Sequence, residues 1–139
     1  MIQKLLLGYD GSDSAKLAYD FALDLAARYQ CEFHIIAVVR PPEFGSDVET
    51  EALIENARHR MKTMLKELEA RSLPGAPVPA IKILVGHPAE QIVRYAEGHA
   101  IDHIVVGHRG HTLFERWLLG SVARQVIAYA HCAVTVVRD

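Results

Sequence analysis

The sequence predicts an α/β protein in which five parallel strands form one open, doubly wound sheet with helices on both faces. Two observations lead to this fold class. Short apolar runs alternate along the chain with longer segments of helical periodicity, an order typical of parallel strands joined by right-handed crossovers. Several apolar runs also stop at glycine- or proline-containing turns, as strands do before a helix.

The first predicted strand sets the pattern for the others. Leu5, Leu6 and Leu7 follow one another without polar alternation, which indicates a strand that is buried on both faces of a sheet. By the same reasoning, strands are predicted at residues 4–9, 33–39, 81–85, 102–107 and 133–137.

Four helices are predicted between these strands. The first follows the cluster of residues 10–14 and runs to about residue 29, with Phe21 and Tyr29 among its apolar positions. The second covers about residues 50–71, with an apolar stripe that includes Leu53. The third starts at Pro88 and ends at Gly98, and the fourth runs from Ser121 to about residue 130.

Composition limits the class of protein. The chain has 139 residues, half of them hydrophobic, which suits a single globular domain over residues 1–139. With 15 basic and 17 acidic residues it has no charge excess that favours nucleic acid or membrane as a partner. No signal pattern or long apolar run is present, so we expect a cytoplasmic protein, with Cys31 and Cys132 as buried free thiols.

The glycine-rich stretch after the fourth strand is the strongest functional signal. Gly107, Gly110, Gly120 and Ser121 lie between the apolar strand and the last helix. Glycine lets a backbone approach an anion closely, and the first turn of a helix offers unpaired N–H groups, so this stretch is a candidate phosphate site. Each residue also has a plainer interpretation, in which Ser121 caps the helix and the glycines serve turns and a strand end.

The spacing is neither that of a Walker A loop nor that of the dinucleotide fingerprint. It resembles the nucleotide-binding signature of the universal stress protein family, glycine-x2-glycine-x9-glycine-serine or threonine. The flanking segments resemble the family too, in Tyr9-Asp10-Gly11-Ser12, Gly86-His87-Pro88 and the closing Val134-Thr135-Val136-Val137. One departure is His131-Cys132-Ala133, where the family usually has proline, cysteine and proline.

This resemblance implies a Rossmann-like sheet of order 3-2-1-4-5, in which Asp10 lies beside Gly107. It also implies an adenine nucleotide, ATP or else ADP or AMP, with the backbone of Val38 at the adenine edge. The nucleotide-binding residues that we take from it are Gly8, Tyr9, Asp10, Val38, Val106, Gly107, Arg109, Gly110, Gly120, Ser121 and Val122. A Mg or Mn ion carried with the phosphates would have Asp10 as its carboxylate.

Other interpretations stay open from the residues alone. His103, His108 and His111 could suggest zinc, although their spacing fits no familiar zinc motif. Asp10 could equally stabilise its own turn, and Arg109 could be a phosphate donor or a solvated side chain.

The function that we expect is a nucleotide-binding stress sensor or regulatory module with an unidentified protein partner. Family members commonly dimerise through the last strand, so Val134, Val136 and Val137 are candidate homodimer residues. The alternatives are a slow ATP hydrolase and a dimeric interaction protein that binds no nucleotide.

Overall fold

A computed structural model describes residues 2–108 and 119–139 of the chain. It contains a five-stranded parallel sheet of order β3-β2-β1-β4-β5, which confirms the predicted fold class and strand order. The strands are β1 (Lys4–Gly8), β2 (Glu32–Val39), β3 (Ala80–Val85), β4 (His103–Gly107) and β5 (Ala133–Val137). The helices are α1 (Asp13–Tyr29), α2 (Asp47–Glu69), α3 (Pro88–Gly98) and α4 (Ser121–Tyr129).

The strand order reverses at β1, in the middle of the sheet. β1 pairs with β2 on one side, where Gly8 lies opposite Ile36, and with β4 on the other, where Leu7 lies opposite Val105. The chain leaves β1 toward one edge of the sheet and later returns on the other side. A reversal of this kind opens a crevice at the carboxyl ends of the two strands.

Two apolar cores lie on the two faces of the sheet. Leu5 and Leu7 belong to the core that α1 and α2 cover, and Leu6 belongs to the core that α3 and α4 cover. All three leucines are fully buried. The unbroken apolar run in β1 therefore reflects burial on both faces, as predicted.

The apolar patterns of α1 and α2 predicted too much burial. The inner face of α1 consists mainly of small residues such as Ala18 and Ala22, while Phe21 and Tyr29 are 41% and 47% exposed. In α2 only Leu65 and Leu68 are buried, and Leu53 is 53% exposed. α1 packs closely on the sheet through these small residues, and Tyr19 and Leu23 are its larger buried side chains.

α2 also begins earlier than the predicted residue 50. Ser46 and Glu49 form a capping box, in which the Ser46 hydroxyl accepts from the Glu49 N–H and the Glu49 carboxylate accepts from the Ser46 N–H. This reciprocal pair satisfies two donors at the start of the helix and so fixes its first turn at Asp47. Cys31 is buried as expected, whereas Cys132 is only half-buried.

None of the helices in the described parts of the chain combines the length and the apolar character needed to cross a bilayer.

Candidate functional site

A cavity of about 530 Å³ opens at the carboxyl ends of the strands, where the strand order reverses. This volume lies within the usual range for small-molecule sites. The cavity brings together nine of the eleven residues singled out from the sequence: Gly8, Tyr9, Asp10, Val38, Val106, Gly107, Gly120, Ser121 and Val122. Arg109 and Gly110, like His111, lie outside the described residues.

The N-terminus of α4 forms one wall of this cavity. Gly120 is the N-cap, with φ −62° and ψ 155°, and no side chain of the described residues caps the first turn. Ser121 is the first residue of the helix, so the interpretation of Ser121 as its cap is wrong. α1 differs, because there the Ser12 hydroxyl accepts from the Ala15 N–H. The first turn of α4 thus offers the partial positive charge of a helix start without a side-chain acceptor of its own.

Two backbone hydrogen bonds hold the start of α4 against the sheet. The Gly120 N–H donates to the His108 carbonyl oxygen at 2.8 Å. The His108 N–H donates to the Val137 carbonyl oxygen, also at 2.8 Å, and so extends the pairing of β4 with β5 by one residue. The start of α4 is therefore fixed at the tip of β4.

Asp10 stabilises its own turn and borders the cavity. Its Oδ1 accepts from the Ser12 N–H at 2.9 Å, which is the Asx-turn arrangement. Ser12 is in turn the N-cap of α1. The structural interpretation of Asp10 is therefore correct, and the same residue lines the cavity beside Gly107.

Val38 lies two residues beyond the last pairing of β2 with β1, which joins Gly8 and Ile36. The Ile36 carbonyl oxygen accepts from the Tyr9 N–H on the β1 side, and the Val39 carbonyl oxygen accepts from the Gly86 N–H on the β3 side. Because backbone groups alternate in direction along a strand, the N–H and C=O of Val38 face the β1 side. The ladder has already ended there, so these groups face the crevice.

These features can be compared with known proteins. The family model described as the universal stress protein family matches residues 1–138. The chain belongs to the universal stress protein family. Among its relatives, universal stress protein MJ0531 of Methanocaldococcus jannaschii is 35% identical over 145 residues, covering 99% of this chain and 83% of the relative.

Solved universal stress proteins show the same architecture. UspA from Lactobacillus plantarum is 30% identical with a TM-score of 0.85, over 99% of this chain and 98% of that one. A universal stress protein in complex with cAMP is 28% identical with a TM-score of 0.64, over 98% of this chain and 96% of that one.

Sequence reasoning about this universal stress protein missed part of the cavity wall. Helices and strand ends that are distant in sequence supply these residues, which are Ala15, Ile36, Arg40, Met61, Pro88, Ile92, His108 and Ala123. Most are apolar residues with nothing to distinguish them from core residues. Arg40 directly follows a predicted strand, so its place at the carboxyl edge of the sheet could have been found from the sequence. His108 also follows a predicted strand, but the sequence suggested it only as a possible zinc ligand.

The histidines of β4 do not converge on one site. His103 begins β4 and His108 follows its end, so about five residues of extended chain, or roughly 16 Å, separate them. Within the described residues, no group of three His, Cys, Asp or Glu side chains is arranged to hold a metal ion. His103 is instead half-buried, its Nε2 lies 2.7 Å from Thr135 Oγ1, and burial lowers its pKa.

Proposed function

We propose that this universal stress protein binds an adenine nucleotide in the cavity and acts as a regulatory module of the stress response. The observation that carries the proposal is the first turn of α4, which lines the cavity and whose N-cap is a glycine that offers no side-chain acceptor. An anionic phosphate placed there would accept hydrogen bonds from backbone N–H groups and interact favourably with the helix dipole.

The width of the cavity suits a ligand with a base at one end and phosphate at the other. Val38 on β2 and Gly107 on β4 are two strands apart, or about 10 Å at the usual strand spacing. Asp10 follows the end of β1, the strand between them, and would then border the sugar. The N–H and C=O of Val38 can pair with an acceptor and a donor of a purine edge. The cAMP complex of a relative supports this class of ligand.

A divalent ion fits the proposal only as a companion of the phosphates. Asp10 is the one carboxylate among the described residues that line the cavity. Mg²⁺ usually binds phosphates with one or two protein carboxylates and several waters, so a single aspartate is compatible with it. Bound there, Mg or Mn would neutralise phosphate charge.

We also propose that the protein hydrolyses ATP slowly or not at all. Hydrolysis of ATP needs a positioned water, a base and stabilisation of the charge in the transition state. Asp10 already accepts a backbone hydrogen bond through Oδ1, so we assign it to the turn and the ligand rather than to proton abstraction. We also include the cytoplasmic location and a homodimer through β5 in the proposal.

The most direct test places a negative charge at the first turn of α4. Ser121→Glu adds a carboxylate at an exposed first-turn position, where an acidic residue favours the helix and repels a phosphate. We expect unchanged or slightly higher thermal stability without ligand, and at least a tenfold loss of ATP affinity. Gln125→Glu adds the same charge to an exposed position further along α4 and is the matched control.

Thermal melting with ATP, AMP and no ligand reads out binding, and phosphate release reads out turnover. A rise in melting temperature with nucleotide that Ser121→Glu removes and Gln125→Glu keeps supports the proposal. No rise with any nucleotide would favour the interaction protein that binds none. Steady phosphate release would favour the hydrolase.

A further inference from the structure

We propose that His108 is a proton-linked element of this cavity, so that nucleotide binding is coupled to uptake of a proton by its imidazole. The inference rests on the proposed nucleotide function and adds regulation by pH to the same site. It starts from the position of His108, which is 3% exposed and lines the cavity.

The backbone of His108 connects the end of β4 to both β5 and α4. Its N–H bonds to the end of β5 at Val137, and its carbonyl oxygen accepts from Gly120 at the start of α4. The residue therefore lies between the end of β5 and the helix turn to which we assign the phosphate. A charge on its side chain would act at short range on an anion in the cavity.

The carboxylate of Asp139 is close enough to stabilise the imidazolium form of His108. His108 Nδ1 lies 3.6 Å from Asp139 Oδ1, and the Asp139 side chain is 31% exposed. An opposite charge at this distance favours the charged form of a histidine, whereas burial alone disfavours it. The protonated imidazole of His108 therefore has the carboxylate of Asp139, just beyond β5, as its partner. Protonation would place a cation in the cavity wall.

Other charged groups among the described residues raise or lower the tendency of His108 to take up a proton. Asp10 lines the cavity just beyond β1 and favours a protonated His108, and Arg40 lines it just beyond β2 and disfavours one. Arg138, between the end of β5 and Asp139, adds positive charge near that carboxylate. The first turn of α4 contains no acidic residue. A bound phosphate would add negative charge to this balance and shift it toward the imidazolium.

Thermodynamic linkage makes this effect reciprocal. If nucleotide favours the imidazolium, then the imidazolium favours nucleotide by the same factor. We expect ATP affinity to increase as the pH falls from 8 toward 6, by at most about tenfold per pH unit for one linked proton. The phosphates of ATP also titrate near pH 6, so the difference between variants, rather than the raw pH profile, carries the result.

The test is calorimetric titration of the full chain with ATP in buffers of different ionisation enthalpy, from pH 8 to pH 6. Wild type should take up a fraction of a proton that His108→Gln does not. His131→Gln is the matched control, because His131 also pairs with a carboxylate, that of Glu97 at 2.9 Å, but is 78% exposed and lies outside the cavity wall.

Two further measurements keep the inference testable if His108→Gln folds poorly. Asp139→Asn leaves the imidazole in place, so proton uptake should move to lower pH. NMR titration of the imidazoles should show the pKa of His108 rising when ATP is added. Equal proton uptake by wild type and His108→Gln would overturn the inference alone, whereas no ATP binding at any pH would overturn the proposed function.

Discussion

A Cβ added to Gly107 would lie 2.7 Å from Ser14 Oγ and 2.8 Å from the Ser14 carbonyl carbon. Side chains do not approach backbone atoms this closely, so glycine is required where β4 passes the first turn of α1. The first glycine of the signature therefore has a packing reason that is independent of any ligand.

This contact predicts that Gly107→Ala destabilises the fold by about 1–3 kcal/mol, as overpacking of a close-packed core usually does. Urea denaturation would measure the change. Gly98→Ala is the control, since a Cβ at Gly98 meets nothing within 4 Å and an alanine suits the end of α3. Equal stability of Gly107→Ala and wild type would show that α1 can move away at no cost.

The Asx turn at Asp10 predicts different effects of two substitutions. Asp10→Ala removes the acceptor of the Ser12 N–H and should cost about 1 kcal/mol of stability. Asp10→Asn keeps an acceptor oxygen but not the charge, so it should melt close to wild type. If Asp10 binds an ion carried by the phosphates, Asp10→Asn should also lose any increase in ATP-dependent melting temperature on addition of Mg²⁺. Equal loss of stability in both variants would contradict the Asx-turn role.

Much of the fold follows from the sequence because local patterns agree with it. The unbroken apolar run of β1 and the proline at the start of α3 each have one simple structural reason. The strand order does not follow from periodicity, and it came from the family resemblance. Phe21 follows the apolar spacing of α1 but is 41% exposed, because spacing alone does not show which apolar positions the sheet covers.

The candidate site could be predicted in part for a similar reason. Residues of the glycine stretch and of the β1 tip are close in sequence to recognisable turns. Met61 and Ile92 come from α2 and α3 and line the cavity only because those helices cross the strand ends. The residue type of Ser121 suggests a helix cap, whereas the helix begins at Ser121 and its N-cap is the preceding residue, Gly120.

The half-buried His103 predicts a pH dependence of stability. Burial lowers its pKa from 6.5, and the nearby Asp102 carboxylate opposes that shift. As the pH falls, His103 therefore takes up its proton at a higher pH in the unfolded chain than in the folded chain. The resulting contribution of His103 to the free energy of unfolding is fully present above pH 6.5. It is lost as the pH falls toward the pKa of His103 in the folded state.

Urea denaturation at pH 7.5 and pH 5.5 would measure this contribution. His103→Gln should lose less stability on acidification than wild type, because glutamine does not titrate and can still hydrogen-bond Thr135. His131→Gln, at an exposed position, should behave like wild type. If His103→Gln and wild type lose the same stability, His103 contributes nothing to the acid sensitivity.

The direction of the backbone groups in β5 predicts how to separate two copies of the chain. The Val137 carbonyl oxygen faces β4, where it accepts from the His108 N–H. Backbone groups alternate along a strand, so those of Thr135 also face β4, and those of Val134 and Val136 face the outer edge of the described sheet. Val136→Pro therefore removes an outward N–H without removing a bond to β4.

If the homodimer forms through this outer edge of β5, Val136→Pro should be monomeric with little loss of stability, as measured by light scattering after size exclusion. Thr135→Pro should instead lose a bond to β4 and be destabilised, and a dimeric Val136→Pro would place the dimer contact elsewhere.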